Sequence, residues 1–234
     1  MKKKIERIHD KIYLQENRYK KTKDSFKYFF NILKKKTNKN KKYSLVDIGC
    51  ANGELLYNIE KKFKNLSLTG VDIHQNLLDK AKKHCSNKVL FLKKDISKKN
   101  QRIGKYDIII LSGVLSIFDN PKIVLKNLLM NLKKNGQIYI YGLFNPYPSN
   151  VYVKYEDLNL NKKVLQSGWN IFSINFIKTF FKNRKVELFP FFMKKKIKQN
   201  RKDLFRSWTI KLRGKNYCIN ALGIIQNLYW IRIK

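Results

Sequence analysis

The chain has 234 residues, enough for one globular domain with elaborations and a full hydrophobic core. Its apolar content of 43% agrees with a globular fold, and its net charge of +36 indicates an anionic partner such as nucleic acid or an acidic membrane. However, lysine supplies 44 of the 52 basic residues, whereas phosphate-binding surfaces usually favour the planar guanidinium of arginine. Residues with A/T-rich codons are abundant, so genome bias explains much of the lysine, and a nucleic-acid partner is the less favoured interpretation.

The cysteine content and the hydropathy pattern limit where the protein resides. Cys50, Cys85 and Cys218 form neither a metal-binding pattern nor an even disulfide set, which predicts a reducing compartment and no metal site. The basic amino terminus is not followed by the apolar segment of a signal peptide. No run of about 18 apolar residues, the length that spans a membrane, occurs either. We therefore expect a cytoplasmic protein without a transmembrane segment.

The first two thirds of the chain show a regular alternation of predicted elements. Residues 1–42 are predicted to form a basic cap of one or two amphipathic helices, in which Phe26, Phe29 and Leu33 share a face. Strands and helices then alternate up to residue 144, which predicts a parallel sheet covered on both faces. The predicted strands are 44–48, 66–71, 89–92, 107–111 and 137–144; the predicted helices are 54–63, 76–84 and 121–132, with a turn at Asn135–Gly136.

The pattern changes after residue 144, where a turn-rich loop begins. Residues 151–170 show little periodicity, and a helix at 172–181 and a strand at 186–193 are predicted after them. Two short segments, 208–212 and 217–220, flank a hairpin turn, and 228–233 form a last strand. We therefore expect residues 145–234 to supply a substrate-covering insertion and the C-terminal strands of the same domain.

The most informative motif is DIGCANG at residues 47–53, which joins the first predicted strand to an amphipathic helix. Gly49 permits a positive φ and a close approach of a ligand to the backbone, and the helix start offers free N–H groups. Asp72 ends the second predicted strand, where a carboxylate can accept hydrogen bonds from both hydroxyls of a ribose. Asp95 and Ser112 follow the third and fourth strands. Simpler structural roles, a helix cap for Asp72 and a turn for Asp95, are the alternatives.

These residues resemble motif I and the ribose-binding acid of class I S-adenosylmethionine-dependent methyltransferases. The family pattern acid-x-Gly-x-Gly-x-Gly matches Asp47, Gly49, Ala51 and Gly53, with alanine in place of the middle glycine. The two-residue spacing and the leading acid differ from the pyrophosphate-binding loop of nicotinamide enzymes, which is the less favoured assignment. A negative Asp47 suits a cationic sulfonium ligand that carries an amino group. The resemblance is specific for residues 43–144 and rests on topology alone beyond them.

The resemblance implies a fold and a cofactor. The fold would be α/β: a three-layer, doubly wound, mostly parallel seven-stranded Rossmann-like sheet, with N-terminal helices and an elaborated C-terminal β-hairpin region. The cofactor would be S-adenosyl-L-methionine, bound by the core at 43–144. The residues expected to bind it are Asp47, Gly49, Cys50, Ala51, Gly53, Asp72, Ile73, Asp95, Ile96 and Ser112. In this assignment Asp72 holds the ribose, and Asp95 accepts a hydrogen bond from the adenine amino group.

The catalytic and substrate-binding residues are less well marked. Methyl transfer from a sulfonium is a direct displacement with a neutral leaving group, so holding donor and acceptor in line can supply much of the catalysis. No residue carries the signature of a general base, and the catalytic residues therefore remain unassigned. Candidate bases are Tyr13, Tyr19, Glu156 and Asp157, and candidate substrate-binding residues are Tyr13, Asn145, Trp169 and Asn170.

Three functions are compatible with these features. The favoured function is methyl transfer to an O or N atom of a small molecule or surface-glycan precursor, since similar family members use N-terminal helices and a late insertion as a substrate lid. The alternative is methylation of tRNA or rRNA, to which the charge points. The motif that grips a flipped adenine is missing after the fourth strand, where residues 111–115 read LSGVL. A non-catalytic cofactor-binding protein is the third. The sequence names neither the acceptor nor the oligomeric state.

Overall fold

The computed structural model describes residues 19–156, 158, 165–200 and 205–234. The elements up to residue 145 are α1 (Asp24–Lys36), β1 (Tyr43–Ile48), α2 (Glu54–Lys62), β2 (Leu66–Asp72), α3 (Gln75–His84), β3 (Leu90–Lys93), β4 (Tyr106–Ser112), a 3₁₀ turn (Leu115–Ile117), α4 (Pro121–Met130) and β5 (Leu132–Asn145). The later elements are β6 (Lys154–Glu156), β7 (Leu165–Ser167), β8 (Phe172–Ser173), α5 (Ile174–Phe180), β9 (Val186–Phe191), β10 (Trp208–Leu212), β11 (Lys215–Ile219) and β12 (Leu228–Ile233).

A central sheet of seven strands has the order β3-β2-β1-β4-β5-β12-β9, and the short strand β8 pairs with the end of β5. The first five strands in this order are parallel, and β12 runs antiparallel between β5 and β9. The expected mostly parallel, seven-stranded α/β sheet is therefore confirmed. The chain order reverses between β1 and β4, and ligands of open α/β sheets bind at such a reversal, beyond the carboxyl ends of the strands.

The sheet is buried on both faces. Ile108 and Ile110 pack with α1, α2 and α3, whereas Ile109 and Leu111 pack with α4 and α5 on the other face. Because successive strand residues point to opposite faces, a strand covered on both sides is apolar at every position. This arrangement explains the continuous apolar run of β4 and gives the three layers that the resemblance implies.

Helix α1 is held over the sheet by its predicted apolar face. Phe29 and Leu33 are fully buried, and the ring of Phe29 stacks on Trp230 of β12 with 4.2 Å between centroids. The indole Nε1 of Trp230 donates to the carbonyl of Ser25 at 3.2 Å. These contacts place the amino end of α1 at the carboxyl edge of the parallel strands.

Some predicted boundaries differ from the structure. Helix α4 ends at Met130, and the predicted turn at Asn135–Gly136 is wrong, because these residues belong to β5. The register with β4 shifts between Tyr106 and Ile108, so the first part of β5 is irregular. A side chain at Gly136 would lie 2.7 Å from Leu132, which accounts for glycine there.

The C-terminal third contains the predicted helix, hairpin and last strand, together with a short pair of strands at 154–156 and 165–167 that was not predicted. Residues 1–18 of the predicted helical cap lie outside the described residues. No helix in the described part of the chain is long and apolar enough to cross a membrane.

Candidate functional site

The motif loop after β1 is built from consecutive left-handed turns. Gly49, Ala51 and Gly53 have φ values of 74°, 48° and 76°, in a region that residues other than glycine rarely adopt. The N–H groups of Gly49 and Cys50 both donate to the carbonyl of Val71, at 2.7 and 3.0 Å. The loop is therefore fastened to the end of β2. Its positive φ values occur at every second residue, which explains why the motif has glycine or alanine at residues 49, 51 and 53.

The two outer glycines of the loop have different neighbours. A Cβ atom on Gly49 would lie 2.4 Å from Cγ2 of Val114, beside the cavity described below. A Cβ atom on Gly53 would lie 2.8 Å from Cβ of Ala81 on α3. Gly53 thus permits close packing of α2 against α3 and does not line the cavity, which differs from the ligand contact expected of it.

Asp72 connects the motif loop with the start of α3. Its Oδ2 accepts from the N–H of Ala51 at 2.9 Å, and its Oδ1 accepts from the N–H of His74 at 3.0 Å. Burial raises the pKa of this carboxyl, and the two backbone donors oppose that shift. Each carboxylate oxygen can accept a second hydrogen bond, so the structural role of Asp72 leaves capacity for ligand hydroxyls.

Asp47 is a buried acid whose Oδ1 has no hydrogen-bond partner among the described residues. Burial, and secondly the nearby charge of Asp72, raises the pKa of Asp47 to about 8. An unpaired buried carboxylate is costly, and a cationic group entering from the cavity would relieve that cost. This property fits a ligand with an ammonium group.

The raised pKa of Asp47 predicts a pH-dependent stability. In the folded chain Asp47 retains its proton to about pH 8, whereas in the unfolded chain it ionises near its ordinary value of 3.8, so its contribution to stability is lost as the pH rises between these values. We expect Asp47→Asn to raise the melting temperature of the ligand-free chain more at pH 9 than at pH 5, as measured by scanning calorimetry. Asp107→Asn is the control: hydrogen bonds from Lys133 and Ser44 lower the pKa of Asp107, so its carboxyl is ionised in the folded and the unfolded chain at both pH values, and the effect of its substitution should be the same at pH 5 and pH 9. An equal effect of Asp47→Asn at both pH values would contradict the assignment.

A cavity of about 820 Å³ opens at the carboxyl edge of the sheet. It is lined by all the residues expected to bind the cofactor except Gly53: Asp47, Gly49, Cys50, Ala51, Asp72, Ile73, Asp95, Ile96 and Ser112. The fold thus brings the ends of β1, β2, β3 and β4 to one place. Their ligand contacts remain predictions.

The third-strand residues are fixed by a local turn. Asp95 Oδ1 accepts from the N–H and the hydroxyl of Ser97, at 3.0 and 2.6 Å. This is the simpler alternative considered for Asp95, which is also one of the residues that line the cavity. Ile73 is 36% exposed and Ile96 is buried at 5%, so Ile73 has more surface available to a ligand ring.

Other lining residues were not predicted from the sequence. The amino end of α1 contributes Lys23, Ser25 and Phe26, the 3₁₀ turn region contributes Phe118, and β5 contributes Tyr141. Burial raises the pKa of Tyr141 far above its ordinary value, which disfavours it as a base. None of these residues belongs to a motif, but Phe26 lies on the predicted apolar face of α1 and Tyr141 near the end of a predicted strand.

The expected substrate-binding residues fall into different places. Trp169 lines the cavity. Asn170 is fully buried and bonded to protein atoms, and Asn145 caps its own loop by accepting from the N–H of Tyr147 at 3.0 Å and donating to Ser149 at 2.9 Å. The structure therefore does not bring the two asparagines into the cavity. Tyr13 lies outside the described residues.

The two candidate bases in the described part of the chain, Tyr19 and Glu156, do not line the cavity. The hydroxyl of Tyr19 donates to the carbonyl of Asn52 at 2.5 Å, its ring stacks on His84, and burial raises its pKa. Glu156 is an exposed residue of β6. Asp157 lies outside the described residues.

The cavity is acidic although the chain is strongly basic. Four acidic side chains line it, whereas the lysines in its lining are Lys23 and Lys94. Lys23 Nζ lies 3.9 Å from Glu54 Oε2, which further reduces the free positive charge. The acidic residues are Asp47, Glu54, Asp72 and Asp95.

A second groove, rich in lysine, lies at the opposite edge of the sheet, between the carboxyl ends of α1 and α2 and the starts of β1 and β2. Acidic residues are absent from its described lining, which includes Lys27, Lys34, Lys39, Lys42, Lys62 and Lys64. The lysine-rich groove and the motif loop are therefore at opposite edges of the sheet.

The region that supplies most of the cavity lining is similar in sequence to known proteins. The family model of a methyltransferase domain matches residues 46–138. The malonyl-[acyl-carrier protein] O-methyltransferase of Halalkalibacterium halodurans is 29% identical over 118 residues, which cover 48% of this chain and 43% of the relative. The chain therefore spans less than half the length of this curated relative.

Solved structures extend the similarity in fold. The plantazolicin methyltransferase BpumL, in complex with a monoazolic desmethylPZN analog and SAH, is 29% identical over 57% of this chain and 53% of its own, with a TM-score of 0.44. The PH0226 protein from Pyrococcus horikoshii OT3 has 15% identity and a TM-score of 0.56. That match covers 94% of this chain and 92% of the archaeal protein, so the shared fold includes the C-terminal strands.

Proposed function

We propose that this chain, in which residues 46–138 match a methyltransferase domain, is a class I S-adenosylmethionine-dependent methyltransferase and transfers a methyl group to an oxygen or nitrogen atom of a small molecule or surface-glycan precursor. The observation that carries the proposal is a single cavity that is lined both by the motif loop with its acids and by the aromatic residues Phe26, Tyr141 and Trp169. Its volume of about 820 Å³ lies in the range of pockets that enclose small organic ligands.

In the proposed complex each end of the cofactor has a matching group. The unpaired Oδ1 of Asp47 suits the ammonium group of the methionine part, and Asp72 suits the ribose hydroxyls. Asp95 is proposed to accept from the adenine amino group, with Ile73 and Ile96 against the ring. Ser112, at the end of β4, would lie nearest the reactive methyl.

The proposed catalysis depends mainly on position. S-Adenosylmethionine supplies an electrophilic methyl group on a sulfonium, and the sulfur leaves as a neutral thioether. The chain's task is then to hold an acceptor lone pair in line with that carbon and to exclude water. Phe26 and Tyr141 supply apolar surface on the acceptor side, and the Lys23–Glu54 pair supplies the nearby charge.

Charge distribution favours a small acceptor over RNA. A phosphate-rich substrate would bring negative charge to a cavity whose lining contains the acidic residues Glu54, Asp72 and Asp95 besides the protonated Asp47. The lysine-rich groove lies at the other edge of the sheet, so its positive charge does not line the cavity that would hold the acceptor. The H. halodurans relative carries O-methyltransferase in its name, which agrees with an oxygen acceptor in the proposal.

We expect labelled methyl groups from S-adenosylmethionine to enter the small-molecule fraction of a cell extract, with little salt dependence between about 0.05 and 0.2 M. Binding to unrelated RNA should be weak and should fall steeply over the same range, because counterion release drives it. Scintillation counting of separated fractions measures the label, and an Asp72→Ala chain is the inactive control. Label confined to nucleic acid would refute the small-molecule proposal and favour tRNA or rRNA methylation.

A further inference from the structure

We infer that Trp169 binds a planar aromatic acceptor, and that Asn170 is the positioning residue that presents Trp169 to the cavity. This inference rests on the proposed methyl transfer and names the substrate class of the same site. It follows from the backbone at Trp169, the hydrogen bonds of Asn170 and the rings that surround the indole.

The backbone of Trp169 is held in an unfavourable conformation. Its φ is 56°, in the left-handed region that bulky side chains rarely occupy. Such a residue persists only where its surroundings enforce the conformation, and these positions cluster at ligand sites. A tryptophan that only packed in the hydrophobic core would not need this backbone conformation.

Asn170 enforces this conformation from a fully buried position. Its N–H donates to the carbonyl of Ser116 at 2.9 Å, and its Nδ2 donates to the carbonyl of Phe118 at 3.1 Å. Its Oδ1 accepts from the N–H of Val153 at 2.8 Å. The backbone after Trp169 is thereby fastened to the turn that follows β4, where the reactive methyl is proposed to lie.

Asp119 extends this hydrogen-bonded cluster. One oxygen of its carboxylate accepts from Nδ2 of Asn170 at 3.1 Å and from the hydroxyl of Ser167, and the other pairs with Lys154. The hydrogen bond from Lys154 lowers the pKa of Asp119, so the carboxylate stays charged near neutral pH. The cluster therefore joins the 151–170 segment to the β4 side of the cavity.

The indole of Trp169 is supported by other rings. It stacks on Phe205 with 5.7 Å between centroids and an interplanar angle of 25°, and it meets the edge of Tyr155 at 5.7 Å. Phe118 and Tyr141 contribute further rings to the cavity lining. Aromatic rings contact one another in stacked and edge-to-face geometries that aliphatic groups cannot match. The acceptor end is therefore suited to a flat ring that bears the nucleophilic oxygen or nitrogen.

The test uses the full chain saturated with S-adenosylhomocysteine and a pair of probes, 2-naphthol and its saturated analogue decahydro-2-naphthol. Calorimetry should show about tenfold tighter binding of 2-naphthol, the order of one good aromatic contact. Trp169→Leu should remove this preference and leave the affinity for S-adenosylhomocysteine unchanged. Trp208→Leu is the matched control, since Trp208 lies on the β10–β11 hairpin and outside the cavity lining. That variant should keep the preference.

Asn170→Ala tests the positioning role. It should weaken 2-naphthol binding by about the same factor as Trp169→Leu while S-adenosylhomocysteine still binds normally. Asn131→Ala is its control, because Asn131 is equally buried and hydrogen-bonded to 101–104 but distant from the cavity. A loss caused by general destabilisation would appear in both variants, and only a positioning role would appear in Asn170→Ala alone.

The outcomes separate the two proposals. If S-adenosylhomocysteine does not bind the unmodified chain, the proposed function fails, and the inference that rests on it fails with it. If it binds, but 2-naphthol shows no saturable binding, binds no better than its saturated analogue, or keeps its advantage in Trp169→Leu, the aromatic-acceptor inference alone is overturned. Equal losses in Asn170→Ala and Asn131→Ala would overturn the role of Asn170.

Discussion

Gly49→Ala should abolish the response of the chain to S-adenosylhomocysteine, with an affinity loss of roughly 100-fold or more. The added Cβ would lie 2.4 Å from Cγ2 of Val114, on a backbone with a φ of 74°. Relief of this contact must move either the motif loop or the turn after β4, and both line the cavity. Thermal shift and calorimetry with S-adenosylhomocysteine measure the loss.

The chain provides a matched control for this substitution. Gly214 has a φ of 76°, and no atom lies within 4 Å of the place where its Cβ would be. Gly214→Ala therefore isolates the backbone cost of about 1 kcal/mol and should leave cofactor binding intact. Removing the clash in a Gly49→Ala, Val114→Ala double variant should recover part of the affinity. Normal binding by Gly49→Ala itself would show that the ligand does not approach this loop.

Asp72→Ala should weaken S-adenosylhomocysteine binding by roughly 100-fold, since it removes the proposed ribose acceptor and loosens the motif loop. The N–H groups of Ala51 and His74 would lose the acceptor they share, so the melting temperature should fall as well. Calorimetry reports the affinity, and circular dichroism reports whether the fold is retained.

Asp107→Ala distinguishes the structural from the ligand contribution. Asp107 Oδ2 accepts from the N–H and the hydroxyl of Ser44, each at 2.8 Å, and pairs with Lys133 at the far edge of the sheet. Its removal should also lower the melting temperature but should not change the affinity for S-adenosylhomocysteine. Unchanged affinity in a folded Asp72→Ala chain would place the ribose elsewhere.

The parallel half of the fold was predictable because its signals are local. Apolar runs bounded by polar residues located the five parallel strands, although the start of β5 was misplaced at 137 instead of Leu132. The alternation of small residues in the motif loop corresponds to the positive φ values of Gly49, Ala51 and Gly53. Asp72 occupies the last position of β2, as its place after an apolar run indicated.

Other features depend on contacts that are distant in sequence. Asn170 lies in a segment without periodicity, and its role depends on the carbonyl of Phe118, 52 residues away. Likewise, Asn145 and Asn170 are isolated polar residues whose burial and partners no spacing rule specifies. The sequence shows the net charge of +36, but it does not show that acidic residues line the cavity and that a lysine-rich groove lies at the opposite edge of the sheet. Such separation arises only when the chain is folded.

The position of β12 also determines the order in which the two halves of the cavity can form during synthesis. The last strand inserts between β5 and β9, and its Trp230 stacks on Phe29 of α1 and bonds to Ser25. Residues 43–145 can begin to fold while the ribosome is still adding the remainder, because their contacts are mostly sequential. The contacts of α1 with Trp230 can form only after residues 228–233 have left the ribosome. They join residues about 200 positions apart, and such long-range contacts favour slow final folding steps. The nascent chain would therefore form the sheet edge that carries the motif loop before Phe26 and Lys23 are fixed in place, and the proposed cofactor could associate before the acceptor side is complete.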